Sequence, residues 1–123
     1  MNIKNLQATL RNFAAERDWE QFHNPKNLAM ALSVEAAELV EIFQWMTSEQ
    51  AKNAHRNQLV KERIADEIAD VFLYLVQIAD KSDVDLENSI LEKIKKNAIK
   101  HPSKLTLDNI RALAEKSKLS PNY

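Results

Sequence analysis

Residues 64–80 read IADEIADVFLYLVQIAD, and the reading of this stretch decides the fold. Its second half, Val71 to Ala79, is apolar almost all round and in isolation fits a buried strand as well as a helix. A helical register runs into it without a break from about Gln58, and the combined span of 58–80 is far longer than strands usually are. The stretch is therefore a helix. With so little polar surface it lies at the centre of a bundle or is covered by a second subunit.

Inside this helix Glu67 and Asp70 stand three residues apart among Ile64, Ile68, Ala69, Val71 and Phe72. Residues 33–45, SVEAAELVEIFQW, repeat the arrangement with Glu35 and Glu38 among Val34, Ala36, Ala37, Leu39 and Val40. At this spacing two helical side chains differ by about 60° in azimuth and about 4.5 Å in rise, so both reach one point. Two such helices side by side converge four carboxyl groups. Holding that much negative charge beside apolar packing costs several kcal/mol unless a cation is bound or protons are taken up. One Glu-x-x-Glu is ordinary on a solvated helix face, but its duplication on two apolar helices makes a candidate metal site.

Oxygen-only ligation favours Mg²⁺, with Mn²⁺ as substitute, over zinc or copper. A di-iron bundle needs Glu-x-x-His, and the i+3 positions here are Glu38 and Asp70. His23, His55 and His101 are scattered and show no ligand spacing. Glu41 and Asp66 are placed to orient ligands or water behind the four acids, whereas Glu62 belongs to the solvated face.

Working outward, Ile3, Leu6, Leu10, Phe13 and Ala14 form the apolar stripe of a first helix over about 3–17. Asn24 followed by Pro25 reads as an N-cap with proline at the first helical position, opening a helix over about 25–46. The polar stretch 47–57 is a connection with a helical turn after Ser48. Asp83 or Asp85 caps a helix over about 86–100, with Leu86, Ile90, Leu91, Ile94 and Ala98 as its buried stripe and Pro102 as its stop. Thr106 with Asn109 opens a short helix over about 106–116, and residues 120–123, SPNY, form a loose end. No segment alternates with period two. The expected fold is all-α, a four-helix-bundle core (3–17, 25–46, 58–80, 86–100) plus the short C-terminal helix, in one domain over 1–123.

Composition excludes several functions. The 123 residues carry 17 basic and 18 acidic side chains, a formal charge of −1 that gives no overall attraction to nucleic acid or an anionic membrane. There is no cysteine, hence no disulfide, thiolate catalysis or cysteine zinc site, which suits a reducing compartment and makes the cytoplasm the default. There is no glycine, hence no glycine-rich phosphate loop. No stretch reads as a signal peptide or membrane span.

Two further groups have open readings. Lys93, Lys96 and Lys100 are either a solvated helix face or a phosphate clamp. Trp19, Phe22 and Trp45, near helix ends, either fill the core or line a flat pocket that stacks a base beside Gln21, His23 and Asn27.

ERDWEQFHNPKNL from Glu16, EAAELVEIFQW from Glu35 and DEIADVFLYLV from Asp66 resemble the MazG-type all-α nucleoside triphosphate pyrophosphohydrolases, most closely their dCTP pyrophosphatase branch. The resemblance runs over about residues 3–102. It implies Mg²⁺-dependent hydrolysis of a deoxynucleoside triphosphate, dCTP or a modified relative, between the α and β phosphates, in nucleotide-pool house-cleaning. It also implies assembly as a homodimer or as a homotetramer, a dimer of dimers. Glu35, Glu38, Glu67 and Asp70 match the family's metal ligands. Trp19, Glu20, Gln21, Phe22, His23, Trp45 and Tyr74 match its nucleotide pocket, and Lys93 and Asn97 match positions facing the phosphates. Val34 stands where many members have a further glutamate, Leu10 where animal dCTP enzymes often have histidine, and the tail after Pro102 differs. The competing expectation is a non-catalytic helical oligomerisation or nucleotide-sensing module.

Overall fold

The computed structural model describes residues 1–118, all helices and connections, with no strand among them. The helices are α1 (Ile3–Ala15), α2 (Pro25–Phe43), α3 (Ser48–Lys52), α4 (Gln58–Lys81), α5 (Leu86–Lys100) and α6 (Lys104–Lys118), with 3₁₀ turns at Glu20–Phe22 and Ala54–Arg56. The chain divides into two compact units, Met1–Leu86 and Glu87–Tyr123. The expected loose end at 120–123 lies outside the described residues.

The caps follow from the local sequence. The side chains of Asn2, Asn24 and Asn57 each accept a hydrogen bond from the backbone N–H three residues on, opening α1, α2 and α4, and Pro25 occupies the first turn of α2. Thr47 and Gln50 form a reciprocal capping box on α3. Thr47 is extended, and α2 ends at Phe43, three residues before the expected boundary. The start at Lys104 likewise lengthens the last helix, because the Ser103 carbonyl already accepts the Leu107 N–H.

Without glycine, two helices end on aspartate. Asp18 and Asp83 take left-handed φ values of 55° and 52°. In each case the next residue's N–H reaches back five positions, Trp19 to the Ala14 carbonyl (2.9 Å) and Val84 to the Ala79 carbonyl (2.9 Å). These are Schellman closures with aspartate where glycine is usual. Asp83 thus closes α4, and Asp85 is the residue directly before α5.

Within residues 1–86, α4 is the central element. Leu28, Leu32, Glu35, Leu39 and Ile42 of α2 and Val60, Ile64, Glu67, Val71, Tyr74 and Ile78 of α4 recur at alternating steps of three and four and are buried or half-buried. They form the seam between the two helices, as in a coiled coil. Glu20 and His23, just before α2, lie against Gln77, Asp80 and Lys81 at the far end of α4, so the two helices run antiparallel. α1 packs on another face of α4 and runs parallel to it. Gln7 Nε2 donates to the Val76 carbonyl (3.2 Å), and Arg11 donates to both carboxylate oxygens of Asp80 (2.7 and 2.8 Å). Leu28 and Val76 are the largest fully buried side chains. The stripe of α5 read as buried is not buried in the single chain: Leu86 is half-buried, whereas Ile90, Leu91, Ile94 and Ala98 are exposed. Among the described residues no helix is long and apolar enough to cross a membrane.

Candidate metal centre

The seam between α2 and α4 is apolar except at its middle, where Glu35 and Glu67 occupy positions that packing would assign to leucine. Glu38, one turn after Glu35, leans to the same point. Carboxylate oxygens of Glu35, Glu38 and Glu67 lie within 4.8 Å of one another, and all three residues are half-buried. Asp70 is not in that group. It stands one turn after Glu67, close enough for its charge to act on Glu35 and Tyr74.

The electrostatics show what the cluster lacks. Glu35 Oε2 and Glu67 Oε2 are buried with no hydrogen-bond partner. An orphaned buried acceptor costs about 1–3 kcal/mol, and more when charged. In the cation-free protein the Glu35 carboxyl is pushed up from 4.5 to about 7. Burial is the first cause, then the close approach of the Glu67 and Glu38 carboxyl groups, then the negative charges of Glu38 and Asp70. Tyr74, one heptad after Glu67, has its phenol raised by burial and by the charges of Glu35 and Asp70. Two buried donorless oxygens on members of a three-carboxylate group fit a hard divalent cation.

The aromatic segment lies elsewhere in the chain. Trp19 is half-exposed and packs edge-on to Phe13 (5.8 Å), whose ring carries the Arg17 guanidinium at 3.5 Å. Gln21 Nε2 donates to the Asp18 carbonyl (3.1 Å), and the exposed Phe22 accepts at its carbonyl from Asn27 Nδ2 (2.9 Å). Trp45 is 89% exposed, so none of the three aromatics is core in the single chain. Glu20 and His23 line a shallow recess with Gln7, Leu10, Arg11, Gln77, Asp80 and Lys81. Of these last six, only Leu10 drew attention in the sequence. Arg11 and Asp80 are far apart along the chain, and no local pattern announces their pairing.

This recess is offset from the acids along both helices. Glu35 lies three turns, about 16 Å, along α2 from its cap Asn24, and Gln77 lies about 15 Å along α4 from Glu67. Within one chain the structure therefore brings Glu35, Glu38 and Glu67 together, with Tyr74 and Asp70 beside them. Glu20 and His23 stand at the recess beside Gln77, one turn along α4 from Tyr74. Lys93 and Asn97 are exposed on α5, in the second unit.

Residues 30–111, which hold all four acids as well as Lys93 and Asn97, match the MazG-like family. The chain belongs to the MazG-like family. Among its MazG-like relatives, human dCTP pyrophosphatase 1 is 39% identical over 114 residues, covering 93% of this chain and 65% of that protein. The rat dCTP pyrophosphatase 1 is 42% identical over 107 residues, covering 85% and 60%. The chain thus spans less than two thirds of the length of these curated relatives. The crystal structure of a pyrophosphatase from Archaeoglobus fulgidus DSM 4304 superposes with a TM-score of 0.72 at 38% identity, covering 81% of this chain and 92% of that one. The all-α MazG-like architecture expected from the sequence is the one observed.

Proposed function

We propose that this chain is a Mg²⁺-dependent nucleoside triphosphate pyrophosphohydrolase that cleaves a deoxynucleoside triphosphate, dCTP or a modified relative, to the monophosphate and pyrophosphate. The observation that carries this reading is the meeting of Glu35, Glu38 and Glu67 with two buried oxygens left without donors. The names of the human and rat relatives support the substrate class.

In this reading Glu35, Glu38 and Glu67 hold the cation, and Asp70 completes the set. A bound Mg²⁺, or Mn²⁺ in its place, would offset triphosphate charge and make a water more acidic. Water attacks the α phosphorus, the bond from that phosphorus to the bridging oxygen breaks, and pyrophosphate leaves with that oxygen. Glu35 or Glu38 accepts the proton of the attacking water. Lys93 stabilises the charge on the departing pyrophosphate, with Asn97 beside it on the same helix face. The seam excludes bulk water on one side of the acids, which strengthens these interactions.

The nucleoside end draws on Trp19, Glu20, Gln21, Phe22, His23, Trp45 and Tyr74. Because the recess at Glu20 and His23 is offset along α4 by about 10 Å from Asp70 and about 15 Å from Glu67, the reading includes a homodimer or dimer of dimers in which one copy's segment reaches another's acids. The exposed Trp45 and Phe22, and Val34, Val40 and Ile68 exposed on α2 and α4, support it. The family match crosses the boundary between the two units, which supports one functional domain over 1–123. A cytoplasmic setting belongs to the same reading, since the substrate is a member of the intracellular nucleotide pool.

Release of pyrophosphate and nucleoside monophosphate, measured over a panel of natural and modified dNTPs, tests the proposal. The expected result is turnover that Glu38→Gln lowers by at least a hundredfold while circular dichroism stays unchanged. No turnover of any dNTP, or undiminished turnover in that variant, overturns it and favours a non-catalytic helical module.

A further inference from the structure

Gln7, Arg11 and Asp80 fasten α1 to α4 by directional bonds, and the reaction proposed above uses none of them. Gln7 Nε2 donates to the Val76 carbonyl (3.2 Å), and Arg11 Nη1 sits between both carboxylate oxygens of Asp80 (2.7 and 2.8 Å). Gln7 and Arg11 are four residues apart on α1, and Val76 and Asp80 are four apart on α4. The two parallel helices are thus joined at two rungs one turn, about 5.4 Å, apart. One rung leaves a pivot, whereas two fix the direction of α1 as well as its place.

Apolar packing does not fix that direction by itself. Of the α1 stripe only Ala14 is buried, Ile3, Leu6 and Leu10 are half-buried, and Phe13 is 46% exposed. Burial is non-directional, and so thin a layer holds α1 to α4 without choosing its tilt. The Arg11 and Asp80 side chains are 45% and 20% exposed, so their pairing adds little to stability. Its larger effect is geometric.

The tilt matters because of what hangs from the end of α1. The Ala14 carbonyl, one turn after Arg11, accepts the N–H of both Arg17 (3.2 Å) and Trp19 (2.9 Å), and the chain turns at Asp18, with φ 55°. The Trp19 and Glu20 carbonyls then accept from Phe22 (2.9 Å) and His23 (3.1 Å). Backbone hydrogen bonds follow one another from Arg11 to His23, so a rotation of α1 is carried to the Trp19–His23 segment. Arg11 and Asp80 line the same recess as Glu20 and His23, which puts the pair at the joint. Asp80 lies about 15 Å along α4 from Asp70, on the α1 side and away from the seam that holds the acids.

We infer that Arg11 and Asp80 are positioning residues whose pairing sets the tilt of α1 and so places the Trp19–His23 segment for the nucleoside end of the substrate, acting on substrate affinity and not on the chemical step. That this segment serves a nucleotide rests on the function proposed above. The setting of α1 on α4 does not.

The test uses the full chain. Arg11→Met and Asp80→Ala are each expected to raise KM for a dNTP at least fivefold, with kcat within twofold and circular dichroism unchanged. The Arg11→Met/Asp80→Ala double variant is expected to match the single ones, because each group acts through the other. A second readout needs no turnover. The chain has no cysteine, so spin labels on Glu16→Cys and Ser82→Cys, diluted with unlabelled protein, report the separation of the ends of α1 and α4 by pulsed electron resonance. One narrow distance distribution is expected with the pair intact, and one at least half as wide again in either single variant. Wild-type KM in both single variants overturns the assignment, as does a loss of kcat at unchanged KM or an additive effect in the double variant. An unchanged distance distribution overturns it too, whether or not the wild type turns over a nucleotide. A wild type that hydrolyses no dNTP removes the function proposed above, while broadened distributions in the variants still uphold the setting of α1 by this pair.

Discussion

Glu35 of α2 and Glu67 of α4 face each other across an otherwise apolar seam, and each buries one carboxylate oxygen, Oε2, with no donor to meet it. A pair of this kind is a source of instability until a cation sits between its members. The same helix packing that supplies the core thus brings together carboxylates suited to ligating a cation.

Cation binding and folding should therefore be linked. A native-state ligand present at a hundred times its Kd adds about 2.7 kcal/mol, so Mg²⁺ or Mn²⁺ should raise Tm by several degrees and chelator should reverse it. Glu35→Gln should abolish the increment while leaving the cation-free protein as stable as wild type or more so, because it removes the repulsion and keeps the shape. Differential scanning calorimetry with and without the cation checks both. A variant that keeps the increment counts against the centre.

The cation-free protein should lose stability toward neutral pH. The Glu35 carboxyl is near 7 when folded and 4.5 ordinarily, so across that interval the native state holds a proton that the unfolded chain has released. The contribution is fully present below 4.5 and gone above about 7, with a limiting slope of about 1.4 kcal/mol per pH unit for one proton. Urea titrations in chelator from pH 4.5 to 8 should show this decline. Glu35→Gln should flatten it, and Asp70→Asn should move its midpoint down by removing a neighbouring negative charge.

The two aspartates at left-handed positions predict an inexpensive stabilisation. Glycine accepts φ near +55° without the Cβ strain that an L-residue bears, so Asp83→Gly should stabilise the chain by up to about 1 kcal/mol in urea unfolding. Asp83→Val, β-branched at the same angle, should destabilise it. If both substitutions behave alike, the closure of α4 does not depend on that residue.

Trp45 reports on assembly. It is 89% exposed in the single chain, so a monomer should emit at the wavelength of solvated indole, and burial by a second copy should shift it to the blue. In a Trp19→Phe background the shift should follow protein concentration in step with the mass measured by light scattering. Red, concentration-independent emission from an assembled species places Trp45 outside the contact.

Helix positions were legible in the sequence because they rest on neighbours a few residues apart. The Asn24-Pro25 start of α2, the apolar register through 58–80 and the span 86–100 of α5 are all local. The pairing of Glu35 and Glu38 with Glu67 was legible too, because two apolar helices joined by a short connection have few ways to pack. What the sequence withheld depends on packing between distant segments. It left open whether Asp83 or Asp85 precedes α5, and it did not reveal the Arg11–Asp80 bridge or the recess at Glu20 and His23. Nor could it show that Asp70 stands outside the triad of acids. Turn preferences act over three or four residues, whereas which side chains share a hollow is decided only when whole helices choose their faces.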